Sequence, residues 1–185
     1  MAASGVPASS EAIITPVLEA LLPDVPVVAE EAAAEGRIPD VGDSPFWLVD
    51  PVDGTKEFLN RNGEFTVNIA LIVDRKPLLG AVFAPAKGTL YAGVVGEGAS
   101  IQEGDQPARA MTVRAEPDDG ITIVASRRHG DPELLEKFLG GRKLKETRNA
   151  GSSLKFCLVA AGEADLYPRF GPTREWDTAA GHAVL

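Results

Sequence analysis

Phe46-Trp-Leu-Val-Asp-Pro-Val-Asp-Gly-Thr-Lys-Glu-Phe58, or FWLVDPVDGTKEF, is the stretch from which the rest of the chain is read. Its first four residues are aromatic or aliphatic, the composition of a buried strand. Asp50-Pro51 predicts the strand's end, because proline cannot donate to a central ladder. Asp50 and Asp53 flank Pro51-Val52 and precede Gly54, so a tight turn brings two carboxylates together. Such like charges repel unless a cation or proton lies between them. Taken alone, DPVDG is also the composition of an ordinary surface turn. Three neighbours favour a site instead: the turn ends an apolar strand, Thr55 follows it, and Glu30-Glu31 ends the preceding strand-like segment, PDVPVVA.

Working outward, EFTVNIALIV, PLLGAVFAPA and GTLYAGVVG are rich in β-formers and separated by turn residues, which predicts an antiparallel meander. Glu11 to Leu22 has apolar residues at helical spacing, with Pro16 predicting a kink or a late start. Residues 1–10 are expected to be a disordered leader. Polar stretches at Gln102–Ala108 and Pro117–Gly120 read as loops, and a domain boundary is placed between them. An α+β metal-binding domain is thus expected over 11–110 and an α/β domain over 111–185. In the latter, GITIVAS and ADLYPRF read as strands. DPELLEKFLGG, GSSLKFCLVAAG and EWDTAAGHAVL read as helices.

Composition narrows the function classes. The chain has 185 residues and a formal charge of −9, which argues against a nucleic-acid polymer as partner. A small phosphorylated ligand remains compatible if divalent cations lie between it and the carboxylates. No apolar run approaches the roughly 18 residues of a membrane span, and no export signal is visible in the first ten residues. Cys157 is the only cysteine, in an apolar run, so it reads as a packing thiol in a reducing cytoplasm. Peripheral attachment at the inner membrane is compatible with this. Oligomeric state is left open.

Carboxylates and carbonyls are hard oxygen donors suited to magnesium, and two histidines offer little for a transition-metal site. WLVDPVDGTKEF, preceded by VVAEE and followed by EWDTAAG, resembles the inositol monophosphatase-like superfamily of metal-dependent phosphatases. Lys56-Glu57-Phe58, NGEFTVNIAL, SRRH, GSSLKFCLVAAGEADLYPRFGPT and WDTAAGHAV are most similar to its bacterial 3′(2′),5′-bisphosphate nucleotidases of the CysQ type. The resemblance implies a layered αβαβα sandwich and two or three Mg2+ ions. Their implied ligands are Glu30, Asp50, the Val52 carbonyl, Asp53 and Asp177. Thr55 is implied to orient the attacking water, with Glu30 and Asp53 also in the catalytic set. Gly54, Lys56, Ser126, Arg127, His129, Gly151, Ser152, Ser153, Lys155 and Arg169 become candidates for the nucleotide side. The implied reaction is hydrolysis of the 3′-phosphate of adenosine 3′,5′-bisphosphate, and of its 5′-phosphosulfate form.

Family members carry an upstream Asp-Ser-Pro-x-Thr-x-Ala-Asp segment whose carboxylate pairs with the threonine, and further elements beyond the Trp-Asp helix. The sandwich is therefore expected to be incomplete at both termini. Asp43-Ser44-Pro45 follows Glu30 and reads as a loop. Two alternatives stand beside the nucleotidase: an inositol or sugar phosphatase with the same metal site, and an inactive remnant that binds metal or nucleotide.

Overall fold

The computed structural model describes residues 9–126 and 132–185. Its centre is a seven-stranded sheet in the order β1 (Val27–Ala29), β2 (Phe46–Asp53), β3 (Thr66–Val73), β4 (Lys76–Ala84), β5 (Thr89–Val94), β6 (Gly98–Glu103) and β7 (Arg109–Met111). Only β1 runs parallel to its neighbour; the other pairings are antiparallel. The expected meander is thus extended by two strands, and Gln102 lies in β6 rather than in a loop. Asp74 and Arg75 both adopt positive φ, 51° and 61°, in the two-residue turn joining β3 to β4. Two left-handed residues match the twist of a tight hairpin.

Alternation along β3 decides what lies on each face of the sheet. Thr66, Asn68, Ala70 and Ile72 point to the buried side, where Ala70 and Ile72 pack with Val82 and Tyr91 of the sheet and with Leu154, Cys157 and Ala180. The last three belong to α5 (Leu154–Ala160) and α6 (Glu175–Val184). On the opposite face Ile69 and Leu71 join Trp47, Val49 and Leu18, the last from α1 (Ser10–Leu21). α1 begins at Ser10, inside the expected leader, with the Ser9 hydroxyl accepting from Ala12 N, and it runs through Pro16.

A second, two-stranded parallel sheet, β8 (Ile121–Ala125) with β9 (Leu144–Asn149), lies beyond α5. Ile121 and Ile123 pack with Leu139 of α4 (Pro132–Leu139), and Val124 packs with Val159 of α5. The layers are therefore α1, large sheet, α5 and α6, small sheet, α4: an αβαβα sandwich. ADLYPRF does not form the expected strand; Leu166 makes a single bridge to Ile123. No helix among the described residues is long and apolar enough to cross a membrane.

Two local features position the site. β2 does not end at Pro51 as expected. It continues to Asp53 through an irregularity between Asp50 and Asp53, where pairing to β3 slips. β1 pairs only with Trp47–Val49, so at position 51 a proline deprives no β1 partner of a donor. α6, for its part, lies directly on the sheet. A Cβ at Gly80 would stand 2.2 Å from the Ala180 carbonyl oxygen, so only glycine admits the helix at that depth. The N-terminus of α6, carrying Asp177, is thereby brought to the strand-end turn.

Candidate metal centre

Asp50, Asp53 and Asp177 each present a carboxylate oxygen within 4.8 Å of the others. They come from the β2 irregularity and from the first turn of α6. One oxygen of each carboxylate is already engaged. Asp50 Oδ1 accepts from Val52 N at 3.0 Å. Asp53 Oδ2 accepts from Asn68 Nδ2 at 3.3 Å and faces the Ser153 hydroxyl at 3.0 Å and the Thr66 hydroxyl at 3.4 Å. Asp177 Oδ2 accepts from the Thr173 hydroxyl at 2.8 Å and Arg174 N at 3.0 Å. This last arrangement caps α6 and fixes the Asp177 rotamer at once. Outer donors of this kind orient ligands at metal sites.

Electrostatics point the same way. Asp50 is 2 % exposed, and burial, then the charges of Asp53 and Glu30, push its carboxyl well above the usual range. Asp53 is also raised, first by burial and then by Asp177, against the hydrogen bonds of Ser153 and Asn68. Burial and repulsion outweigh local donors at both positions. The charged forms need a cation, and the donors are hard oxygens, the set a magnesium-type ion takes. Asn68, 1 % exposed, keeps its amide oxygen beside them without a partner among the described residues. The residues present fit a divalent cation.

Glu30, the first residue of α2 (Glu30–Ala34), is partly buried, and its charge helps to raise the Asp50 carboxyl. It stands outside the tight cluster of three. Val52 lies within the β2 irregularity. Glu31 is exposed. Thr55 opens α3 (Thr55–Leu59) and is exposed, its hydroxyl without a partner among the described residues.

Among known proteins, residues 6–185 match the inositol monophosphatase family. The chain is 49% identical over 177 residues to the 3′(2′),5′-bisphosphate nucleotidase CysQ of Escherichia coli (strain K12), covering 95% of this chain and 69% of that protein. The chain belongs to the inositol monophosphatase family. The crystal structure of CysQ from Bacteroides thetaiotaomicron superposes with a TM-score of 0.72 at 40% identity, covering 91% of this chain and 69% of that one. Mycobacterium tuberculosis SuhB superposes at 0.76 with 26% identity, covering 94% and 68%.

In this member of the inositol monophosphatase family a cleft of about 220 Å³ opens beside Asp53 and Asp177. Of the expected substrate-side residues, Gly54, Lys56, Ser126, Gly151, Ser152, Lys155 and Arg169 line it. Arg127 and His129 lie outside the described residues. Ser153 is 1 % exposed and sits behind the aspartates: it accepts from Asn68 Nδ2 at 2.8 Å, and its proton is shared between Asp53 Oδ2 and the Asp177 carbonyl at 2.8 Å. The expected helix over GSSLKFCLVAAG begins only at Leu154, and the preceding glycine and serines form a latch. Gly151 N donates to Glu64 Oε2 at 2.8 Å, and the Ser152 hydroxyl lies 2.8 Å from both the Asp53 and Glu64 carbonyls. Gly54 permits this. Its φ is 86°, and a Cβ there would fall 2.1 Å from Ser152 Oγ.

Lys155 is 3 % exposed, donates to the Ser152 and Ala150 carbonyls at 2.6 and 3.3 Å, and lies 5.2 Å over the Tyr167 ring. Burial brings its ammonium down to about 8, opposed by the charge of Asp53. Arg169 donates to the Pro172 carbonyl at 2.7 Å. Sequence reasoning missed Thr66, Asn68, Glu64, Tyr167 and Thr173. Thr66 and Asn68 had a usable signal, being polar at the positions of β3 whose period faces the core. Thr173 had the signal of its place just before the Trp-Asp helix, four residues from Asp177; Glu64 and Tyr167 had none, because their partners are distant in sequence.

Proposed function

We propose that this chain is a Mg2+-dependent phosphatase that removes the 3′-phosphate of adenosine 3′,5′-bisphosphate, and of its 5′-phosphosulfate form, giving the 5′-nucleotide and inorganic phosphate. The observation that carries this reading is the meeting of three aspartates, two of which, Asp53 and Asp177, line a cleft whose other walls hold Lys56, Lys155 and Arg169. A bisphosphate needs two anion-binding loci, one met by cations on the carboxylates and one by basic side chains.

In this reading Asp50, Asp53, Asp177, the Val52 carbonyl and Glu30 hold the metal. Divalent ions held there supply charge neutralisation, Lewis acidity and acidification of water. Thr55, on the exposed first turn of α3, orients the water by its hydroxyl. Water adds to phosphorus as the P–O3′ bond breaks, and a proton ends on the 3′-oxygen. Lys155 and Arg169 receive the second phosphate, with Lys56, Ser126, Gly151 and Ser152 along the cleft. Ser153 and Asn68 act through Asp53, holding one oxygen so that the other faces the ion. The site lies where the acidic turn of β2 meets the N-terminus of α6 at the edge of a cleft, a favoured place for ligands.

Phosphate release with Mg2+ from adenosine 3′,5′-bisphosphate, set against inositol 1-phosphate and fructose 1,6-bisphosphate, tests the assignment. Faster turnover of either competitor refutes the nucleotide reading and leaves an inositol or sugar phosphatase. Turnover abolished by Asp50→Asn and by Asp53→Asn, with the fold intact, ties it to the carboxylates. No turnover of any substrate by the parent chain, with Mg2+ bound, leaves a binding protein.

A further inference from the structure

Glu11 is a buried carboxylate that the proposed chemistry does not use. It lies in the first turn of α1, with 8 % of its surface exposed. Its two oxygens turn away from α1 and reach the start of another helix: Oε2 accepts from Glu31 N at 2.9 Å and Oε1 from Ala32 N at 3.0 Å. Those are the second and third residues of α2, amides that a helix cannot satisfy internally. α2 has no cap of its own, since Ala29 stands at the N-cap position. Five residues of helix have little stability alone. The clamp from Glu11 supplies what a side-chain cap ordinarily would.

The residue just before the two clamped amides is Glu30, whose charge acts on the Asp50 carboxyl. α1 is itself anchored, because Leu18 packs with Ala29, Trp47 and Val49 at the base of the same strands. A continuous chain of contacts thus runs from the core through α1 and Glu11 to the first turn of α2. We infer that Glu11 is a positioning residue of the metal centre: by clamping the Glu31 and Ala32 amides it sets the orientation from which Glu30 reaches the cation. The inference rests on the metal reading of the site. Glutamine at position 11 keeps the shape but offers one acceptor oxygen, and its amide group opposes a backbone N–H.

The test compares the parent chain with Glu11→Gln and Glu19→Gln. Glu19 is exposed on the same helix, so its variant controls for the loss of one charge. Two quantities are measured: Mg2+ affinity by calorimetric titration, and hydrogen exchange of the Glu31 and Ala32 amides in chelator. Glu11→Gln weakens Mg2+ binding about 10-fold or more, the range for outer-shell partners of metal ligands, and speeds exchange at both amides. Glu19→Gln changes neither. A merely structural role would lower the melting temperature and leave the affinity of the folded protein unchanged, which overturns the inference. So does unchanged amide exchange in Glu11→Gln. A parent chain that binds no Mg2+ in this titration refutes the metal reading itself, and with it the inference. Binding by the parent matched by Glu11→Gln refutes the inference alone.

Discussion

Replacing Gly54 with alanine has two separable costs, and the structure says how to separate them. With φ at 86°, an L-residue there is strained by about 1–2 kcal/mol. The new Cβ would also lie 2.1 Å from Ser152 Oγ. The Ser152 hydroxyl must swing away, abandoning the Asp53 and Glu64 carbonyls, both 2.8 Å distant. Losing that bond and leaving a partly buried carbonyl unpaired costs roughly 1–3 kcal/mol. The total is about 3 kcal/mol, a drop of roughly 6–12 °C in melting temperature for a chain of this size. In a Ser152→Ala background the obstacle is already gone, so Gly54→Ala costs only the backbone strain. Denaturant unfolding of the four proteins in chelator completes the cycle. A coupling of about 1–2 kcal/mol is expected, above the roughly 0.3–0.5 kcal/mol scatter of independent sites. Additive costs would refute the latch between the acidic turn and the 151–153 loop.

Three further outcomes follow from the same geometry. Ser153→Ala removes a buried hydroxyl that serves both Asp53 and Asn68; Mg2+ affinity falls about 10-fold with the cleft lining unchanged, read by calorimetric titration. Lys155→Met removes a cleft cation and raises KM for the bisphosphate by roughly 10-fold or more, with a smaller effect on a monophosphate. Because burial brings the Lys155 ammonium down to about 8, kcat/KM of the parent for the bisphosphate declines as pH rises through that value, and the variant lacks this decline. Asp165 accepts from Arg114 Nε and Nη2, at 2.7 and 2.6 Å, and from Thr122 N. The Arg114 hydrogen bonds hold its carboxyl below the usual range, so its stabilisation is present above about pH 4 and is lost as pH falls through the lowered value. Asp165→Asn is therefore less stable than the parent by about 1–2 kcal/mol at neutral pH. The gap closes in acid, as denaturation curves across pH would show.

Much of this architecture was legible because it is written in local pattern. The alternation of β3 and the turn residues between β3, β4 and β5 announce a meander, and the acidic turn, Glu30 and Asp177 stand out as spaced motifs. Three kinds of feature were not legible. β9, LKETRN, is exposed along its whole length and carries no apolar alternation, so nothing in its composition distinguishes it from a loop. The persistence of β2 through Pro51 depends on how far its neighbour β1 extends, a property of the pair rather than of either strand. The apparent strand ADLYPRF has the right composition, but Asp165 is drawn to Arg114 and Thr122 and only Leu166 reaches β8.

The least legible contacts are those that make the site one object. Asp53 meets Ser152 and Ser153 about a hundred positions later, through a carbonyl at 2.8 Å and a carboxylate oxygen at 3.0 Å. Ser153 also reaches the Asp177 carbonyl. The 151–153 loop therefore touches two of the three clustered aspartates before any substrate arrives. A segment whose composition suggested ligand contact has two tasks: Gly151 and Ser152 face the cleft, while Ser153 faces the carboxylates. Substitutions in this loop should consequently divide by position. Those at Ser153 act on cation affinity, and those at Lys155, two residues further on in α5 and lining the cleft, act on the anion. If both sets moved the same constant by the same factor, the loop would be a common structural support, and the division of labour inferred from its hydrogen bonds would be wrong.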